Sequence, residues 1–200
     1  MKKVKLLLAA ILLTTVSTYA QDSSWGPMVG INGSTLSGNL PLNSYKPGLN
    51  LGLFYNWSNN ERLGVKVEGL YSQMGTAYES GYEQTIDMHY IQIPVYGVWY
   101  LNDRGNDFRP KLMFGPYVGF LAGAQGRDTQ NTYFTKEIFS KVDVGAKGAV
   151  GFNWNLNDRL WLNSELYYGA GFVDVYKSNT LDIKNQQVGL NVGLSFPINN

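Results

Sequence analysis

Val188-Gly189-Leu190-Asn191-Val192-Gly193-Leu194-Ser195-Phe196 decides the fold of this chain. Val188, Leu190, Val192, Leu194 and Phe196 fall on one face, and Gly189, Asn191, Gly193 and Ser195 fall on the other. Strict alternation with period two specifies a strand with one apolar face. The opposite face is small and neutral, unlike a water-facing surface rich in Lys and Glu. Close to the end of an exported chain and finishing on an aromatic ring, the pattern points to a transmembrane β-barrel.

Export is read from the other end. Residues 1–20 carry Lys2, Lys3 and Lys5, an apolar run from Leu6 to Leu13, and a polar stretch ending at Ala20. This is the layout of a secretory signal peptide cut after Ala20, with Sec-dependent delivery to the outer membrane, and it leaves 21–200 as one barrel domain. The apolar run falls short of the roughly 20 residues of a spanning helix, and no later segment approaches that length. Any membrane crossing therefore falls to strands.

The chain has no cysteine. That excludes a lipoprotein anchor at the signal junction, a disulfide framework and any cysteine metal site. No cofactor and no metal are expected. Cleavage of the signal removes three of the 16 basic residues, leaving a near-neutral chain against 15 acidic ones, which argues against a nucleic-acid partner. Charged residues make up only 16% of the sequence, where soluble domains carry about a quarter, so much of the surface is expected to avoid water.

Eight strands are read near 25–36, 47–57, 62–74, 85–101, 109–124, 140–154, 160–173 and 185–197. Connections at 58–61, 102–107 and 155–159 are short and rich in Asn and Asp, whereas those at 37–46, 75–84, 125–139 and 174–184 are longer. Short and long alternate strictly, as in an all-β, eight-stranded antiparallel up-and-down transmembrane barrel with periplasmic turns and external loops. The tryptophans test this topology, because consecutive strands reverse direction. Trp25, Trp57, Trp99, Trp154 and Trp161 all fall at the short-turn end with Phe108 and Phe196, while Tyr71, Tyr90, Phe120 and Phe172 fall toward the other. The two groups read as aromatic girdles at two membrane interfaces.

Alternation leaves open which face points inward. A soluble lipocalin-like barrel would turn its apolar face in and bind a small lipid, but its outer face would then need solvating charges. The polar face here is mostly Gly, Asn and Ser, which favours apolar residues toward lipid and polar ones toward the lumen. On that face Lys66, Glu68, Lys147 and Glu165 fall at similar depth, with Lys111 and Asp143 above and below. They are read as a charge-balanced lumen network. Lys147 and Glu165 become diagonal neighbours if their turn centres near Asn157. Pro94 and Pro116, unable to donate to the ladder, are expected to mark a shared bulge or bend.

Tyr90-Ile91-Gln92-Ile93-Pro94-Val95 and Phe114-Gly115-Pro116-Tyr117-Val118-Gly119-Phe120-Leu121, with Glu68-Gly69-Leu70-Tyr71-Ser72-Gln73-Met74-Gly75, resemble paired strands of the porin-like, PorT-like outer-membrane β-barrel family. The resemblance covers the mature chain and implies a Gram-negative envelope barrel. One branch of that family assists protein secretion. The chain departs from the usual terminal aromatic by ending Pro197-Ile198-Asn199-Asn200.

Catalysis has little support, and no catalytic residue is assigned. His89, the single histidine, shares its strand phase with Asp87 but also with Ile91 and Ile93, which turns it to lipid. A lipid-modifying enzyme using His89 is the weakest of the functional alternatives. The leading expectation is a filled barrel of structural and surface-interaction role, with Tyr78, Tyr82, Tyr133 and Phe134 as loop contact candidates. A component of a secretion or assembly apparatus is the main alternative, and a narrow porin another. Expected partners are outer-membrane lipid and lipopolysaccharide, the barrel-insertion machinery, and a surface or secretion-apparatus protein.

Overall fold

The computed structural model describes residues 22–38, 44–58, 61–79, 83–127, 132–134, 136–157, 159–176 and 182–198. Its strands are β1 (Asp22–Gly38), β2 (Ser44–Ser58), β3 (Leu63–Glu79), β4 (Glu83–Tyr100), β5 (Phe108–Arg127), β6 (Thr132–Phe134), β7 (Val142–Asn157), β8 (Leu160–Gly171) and β9 (Ile183–Ile198). The eight long ones pair antiparallel with their chain neighbours, and β9 closes on β1. The connection 125–139 is not the single loop expected of it. Instead β6 folds back on the end of β5, and a 3₁₀ turn follows at Lys136–Ile138. The segment 75–84, read as a loop, is almost all strand, because β3 runs to Glu79 and β4 starts at Glu83.

Pairing round the wall fixes the barrel's dimensions. From Pro47 on β2 the partners run to Gly33, Val188, Tyr168, Gly148, Phe114, Gly97, Val65 and back to Trp57 on β2. The path closes ten residues along the strand, so the shear is ten for eight strands. With ~3.3 Å per residue and ~4.8 Å between strands, this gives a tilt of about 40° and a backbone radius of about 8 Å. Such an interior is filled by side chains.

Which face points in is settled by burial. Leu49, Ile31, Leu190, Leu166, Val150 and Leu112 form a row of register partners across six strands, and each is exposed outward. Lys66, Glu68, Lys111, Asp143, Lys147 and Glu165 are buried on the opposite face. An apolar wall around a charged interior is the inverse of a soluble barrel, and it suits a bilayer. Among the described residues no helix is long and apolar enough to cross one.

Pro94 and Pro116 lie close together on β4 and β5, but no register shift accompanies them. The shift falls higher, where His89 pairs with Gly123 and Tyr90 with Leu121, leaving Ala122 as the extra residue. This bulge reverses the phase of β5, so that Leu121 and Ala124 both face inward.

The seam between β1 and β9 depends on close backbone approach at Gly26. A Cβ there would lie 1.6 Å from the carbonyl oxygen of Leu194. Gly26→Ala is therefore expected to spread the seam and lower stability by at least about 1–3 kcal/mol, the usual cost of overpacking. Denaturant titration of the refolded barrel measures it, and an unchanged midpoint would show that the seam has slack.

Candidate functional site in the barrel lumen

The lumen is stacked in layers set by the inward phase of each strand. Near mid-height Lys66 on β3 donates to Glu165 on β8, and its Nζ lies 2.6 Å from Glu68 Oε1 on its own strand. Lys111 on β5 reaches Asn163 Oδ1 at 2.7 Å and stands 3.9 Å from Glu165. The Lys66 ammonium also sits 4.8 Å from the centre of the Phe54 ring. Three lysines and two glutamates and one aspartate are buried in this part of the lumen, and Arg109 is buried nearer the short-turn end.

Lys147 departs from the expected arrangement. On the β7–β8 ladder it pairs with Gly169, while Glu165 pairs with Gly151, so the two charges are not diagonal neighbours. The turn pair is Asn157 with Leu160, and after an irregularity between Asn155 and Asn157 the ladder runs from Asn155 with Trp161, so that every partner from there on is shifted by two relative to a turn centred at Asn157. Lys147 instead donates to Gln92 Oε1 at 2.7 Å and lies 4.7 Å from the Tyr167 ring centre. Asp143, on the loop side, accepts from Tyr117 at 3.0 Å and from Asn185 at 2.8 Å.

Neutral side chains join these charges into one network. Asn191 donates to Glu165, Asn50 donates to both Asn191 and Tyr167, Tyr167 to Gln187, and Gln187 to the same Gln92 oxygen that receives Lys147. Such links satisfy polar groups that water does not reach. Tyr167 fits because Gly189 faces it, where a Cβ would meet its hydroxyl at 2.7 Å. The linking Asn, Gln and Tyr residues escaped the sequence reading, although all lie on the polar phase of their strands.

Above this network, toward the loops, the lumen turns apolar. Leu36, Met74, Met88, Tyr90, Leu121, Ala124 and Ile183 from the wall pack with Phe139 and Val175 from the connecting segments. Tyr90, expected in the outer girdle, is fully buried here and receives Asn185. An isolated bridge between Phe139 and Tyr176 holds the two segments over the mouth.

At the opposite end lies a vestibule of about 260 Å³, lined by Ser24, Ser58, Tyr100, Arg104, Arg109, Asn153 and Trp161 among others. Trp25, Trp57, Trp99, Trp154 and Phe196 point outward at this level, and Trp25 packs on Phe196 with ring centres 6.0 Å apart. Trp161 is the exception to the girdle. It shares the phase of Asn163 and Glu165 and lines the vestibule.

His89 lies on the outer wall. Its Nδ1 is 2.8 Å from the Tyr71 hydroxyl and the rings stack at 5.7 Å, while Asp87 pairs with Lys46 instead. Among the described residues no group of three or more metal-ligating side chains occurs. Of the loop contact candidates, Tyr82 lies outside the described residues, as do the side chains of Tyr78, Tyr133 and Phe134.

A family model described as the outer membrane protein β-barrel domain matches residues 19–177, most of the chain. The chain belongs to that family. This small barrel is accordingly an outer-membrane protein of the Gram-negative envelope. Solved structures show the same fold at low sequence identity. OprG of Pseudomonas aeruginosa is 11% identical with a TM-score of 0.57, covering 90% of this chain and 96% of its own. Neisserial surface protein A is 12% identical with a TM-score of 0.51, covering 85% and 96%. No match was found among curated proteins.

Proposed function

We propose that this outer-membrane barrel is a closed, non-enzymatic envelope protein, contributing to envelope structure and making surface contacts through its loop end. The observation that carries this reading is the double closure of the lumen, by the network from Lys66 to Lys147 and by the apolar cluster around Met88 and Phe139. A filled lumen leaves recognition to the rim and loops, where strands project past the lipid belt. Lipid and lipopolysaccharide contact its wall, and the barrel-insertion machinery delivers it.

Reconstitution into planar bilayers tests the reading. The intact protein is expected to give no large, steady conductance. A stable open channel would replace it with the narrow-porin alternative.

The PorT-like resemblance supports a second reading, membership of a secretion or assembly apparatus. Its motif strands Tyr90 to Val95 and Phe114 to Leu121 are ladder partners, so they also have a structural explanation. Copurification of a stable partner from the native membrane would favour this role over the first. The His89 enzyme is the least supported, because His89 and Asp87 have separate partners on the lipid-facing wall. His89→Ala is expected to leave the envelope lipid profile unchanged.

A further inference from the structure

We propose that a groove in the outer wall, running across β8, β9, β1 and β2, seats one 3-hydroxyacyl chain of lipopolysaccharide, the acylated glucosamine lipid of the outer leaflet. The groove has a volume of about 510 Å³. Leu49, Ile31, Leu190, Leu166 and Val188 form its sides, and Gly33 leaves a dent among them. A Cβ on Gly33 would have side-chain atoms of Tyr45 and Val188 as its nearest neighbours, at 3.5 and 3.9 Å, so no packed backbone closes the dent.

Depth selects the leaflet. On β2 Pro47 precedes Trp57 of the short-turn girdle by ten residues, and at a tilt of about 40° each residue climbs about 2.5 Å, which places Pro47 about 25 Å above that girdle. The apolar band of such barrels is about 25 Å tall, so Pro47 marks the outer interface. Leu49 and its register partners Ile31, Leu190 and Leu166 follow at about 20, 17, 14 and 11 Å. The groove therefore slants from the outer interface to the midplane, which is the span of one acyl chain of the outer leaflet.

Fit fixes a chain there, since lipid tails are as apolar as the wall and association within a bilayer rests on van der Waals contact and hydrogen bonds. Gln73 supplies the hydrogen bonds. It lines the groove, shares the outward phase of Tyr71 and pairs with His89 on the outer wall. Eight residues up β3 from Val65, the partner of Trp57, it stands about 23 Å above the girdle, just inside the outer interface. An amide among aliphatic side chains at that depth is costly until its donor and its acceptor are both used. An amide-linked 3-hydroxyacyl chain serves both, through its hydroxyl, its N–H and its carbonyl, whereas the ester carbonyls of a glycerophospholipid only accept. Lys46 and Asp87 neutralise each other at the rim, so recognition rests on shape and hydrogen bonding. The site rests on the lipopolysaccharide contact named above and is independent of lumen closure, so an open channel in planar bilayers would leave it standing.

Native mass spectrometry of the full folded chain, titrated in detergent with lipid A, dimyristoylphosphatidylglycerol or dimyristoylphosphatidylethanolamine, tests the proposal. Lipid A is expected to bind about ten-fold or more tightly than either phospholipid. Gly33→Leu, which fills the dent, is expected to weaken lipid A about ten-fold with the denaturation midpoint unchanged. Gly97→Leu fills an equally exposed position on β4, away from the groove, and is expected to leave lipid A affinity as it was. Gln73→Leu is expected to bring lipid A down to the phospholipid level without altering phospholipid binding. No binding of lipid A, or equal loss from Gly33→Leu and Gly97→Leu, would overturn the groove as a site. Phospholipids binding as tightly as lipid A, or an unaltered lipid A affinity in Gln73→Leu, would overturn its assignment to a hydroxyacyl chain.

Discussion

Replacing Lys66 by methionine is expected to lower the unfolding free energy of the barrel by about 3–5 kcal/mol, the cost of leaving buried charges without their partner. Methionine keeps most of the volume, so the change reports charge more than packing. Glu68 and Glu165 would then face one another with Lys111, 3.9 Å from Glu165, as the nearest cation of the cluster. Guanidinium titration followed by tryptophan fluorescence measures the loss. Adding Glu68→Gln to Lys66→Met is expected to recover most of it, because one carboxylate leaves with the lysine and Glu165 keeps Lys111 as its counter-charge. A loss under about 1 kcal/mol for the single variant would mean that water reaches this layer and that the ion pairs behave as surface pairs.

Arginine in place of Leu190 is expected to cost about 2–4 kcal/mol in a bilayer, the penalty for a cation at the membrane midplane on the lipid-facing side of a barrel. Leu190 pairs with Ile31 on one side and Leu166 on the other, inside the continuous apolar row. Leu190→Ala separates lost apolar contact from the charge penalty and is expected to cost less. Equilibrium folding into lipid vesicles reads both. A penalty of about 1 kcal/mol or less for the arginine would move this row to the interface, and with it the whole belt.

Most of the architecture was legible because a membrane barrel writes its two faces into every second residue. From Leu49 to Trp57 and from Val188 to Phe196 the phase alone separates lipid from lumen. Direct partners within the lumen were less legible, since they depend on register, and register depends on each turn and bulge. A two-residue shift at Asn157 moved Lys147 away from Glu165. Ala122 reversed the phase of β5 partway along its length, which no alternation rule anticipates. Trp161 was grouped by its height and not by its phase, which matched Asn163 and Glu165 throughout. Phe139 and Val175, from the connecting segments, reach the lumen through long-range packing and leave no periodic signal.

The seam between β1 and β9 has a consequence for how this molecule comes into being. Its registered pairs, from Ser23 with Ile198 to Gly38 with Ile183, join residues about as far apart as the chain allows. Loop-closure entropy makes contacts of such high sequence separation slow to form. Until the seam zips, a nearly complete sheet carries two open edges, each able to template pairing with another chain. The hazardous interval in the life of this protein is therefore its assembly, and its hazard grows with local concentration, while in the finished barrel each of the eight long strands is paired on both sides. Escort to the membrane and rapid capture of the last strand matter more to its yield than the stability of the closed form.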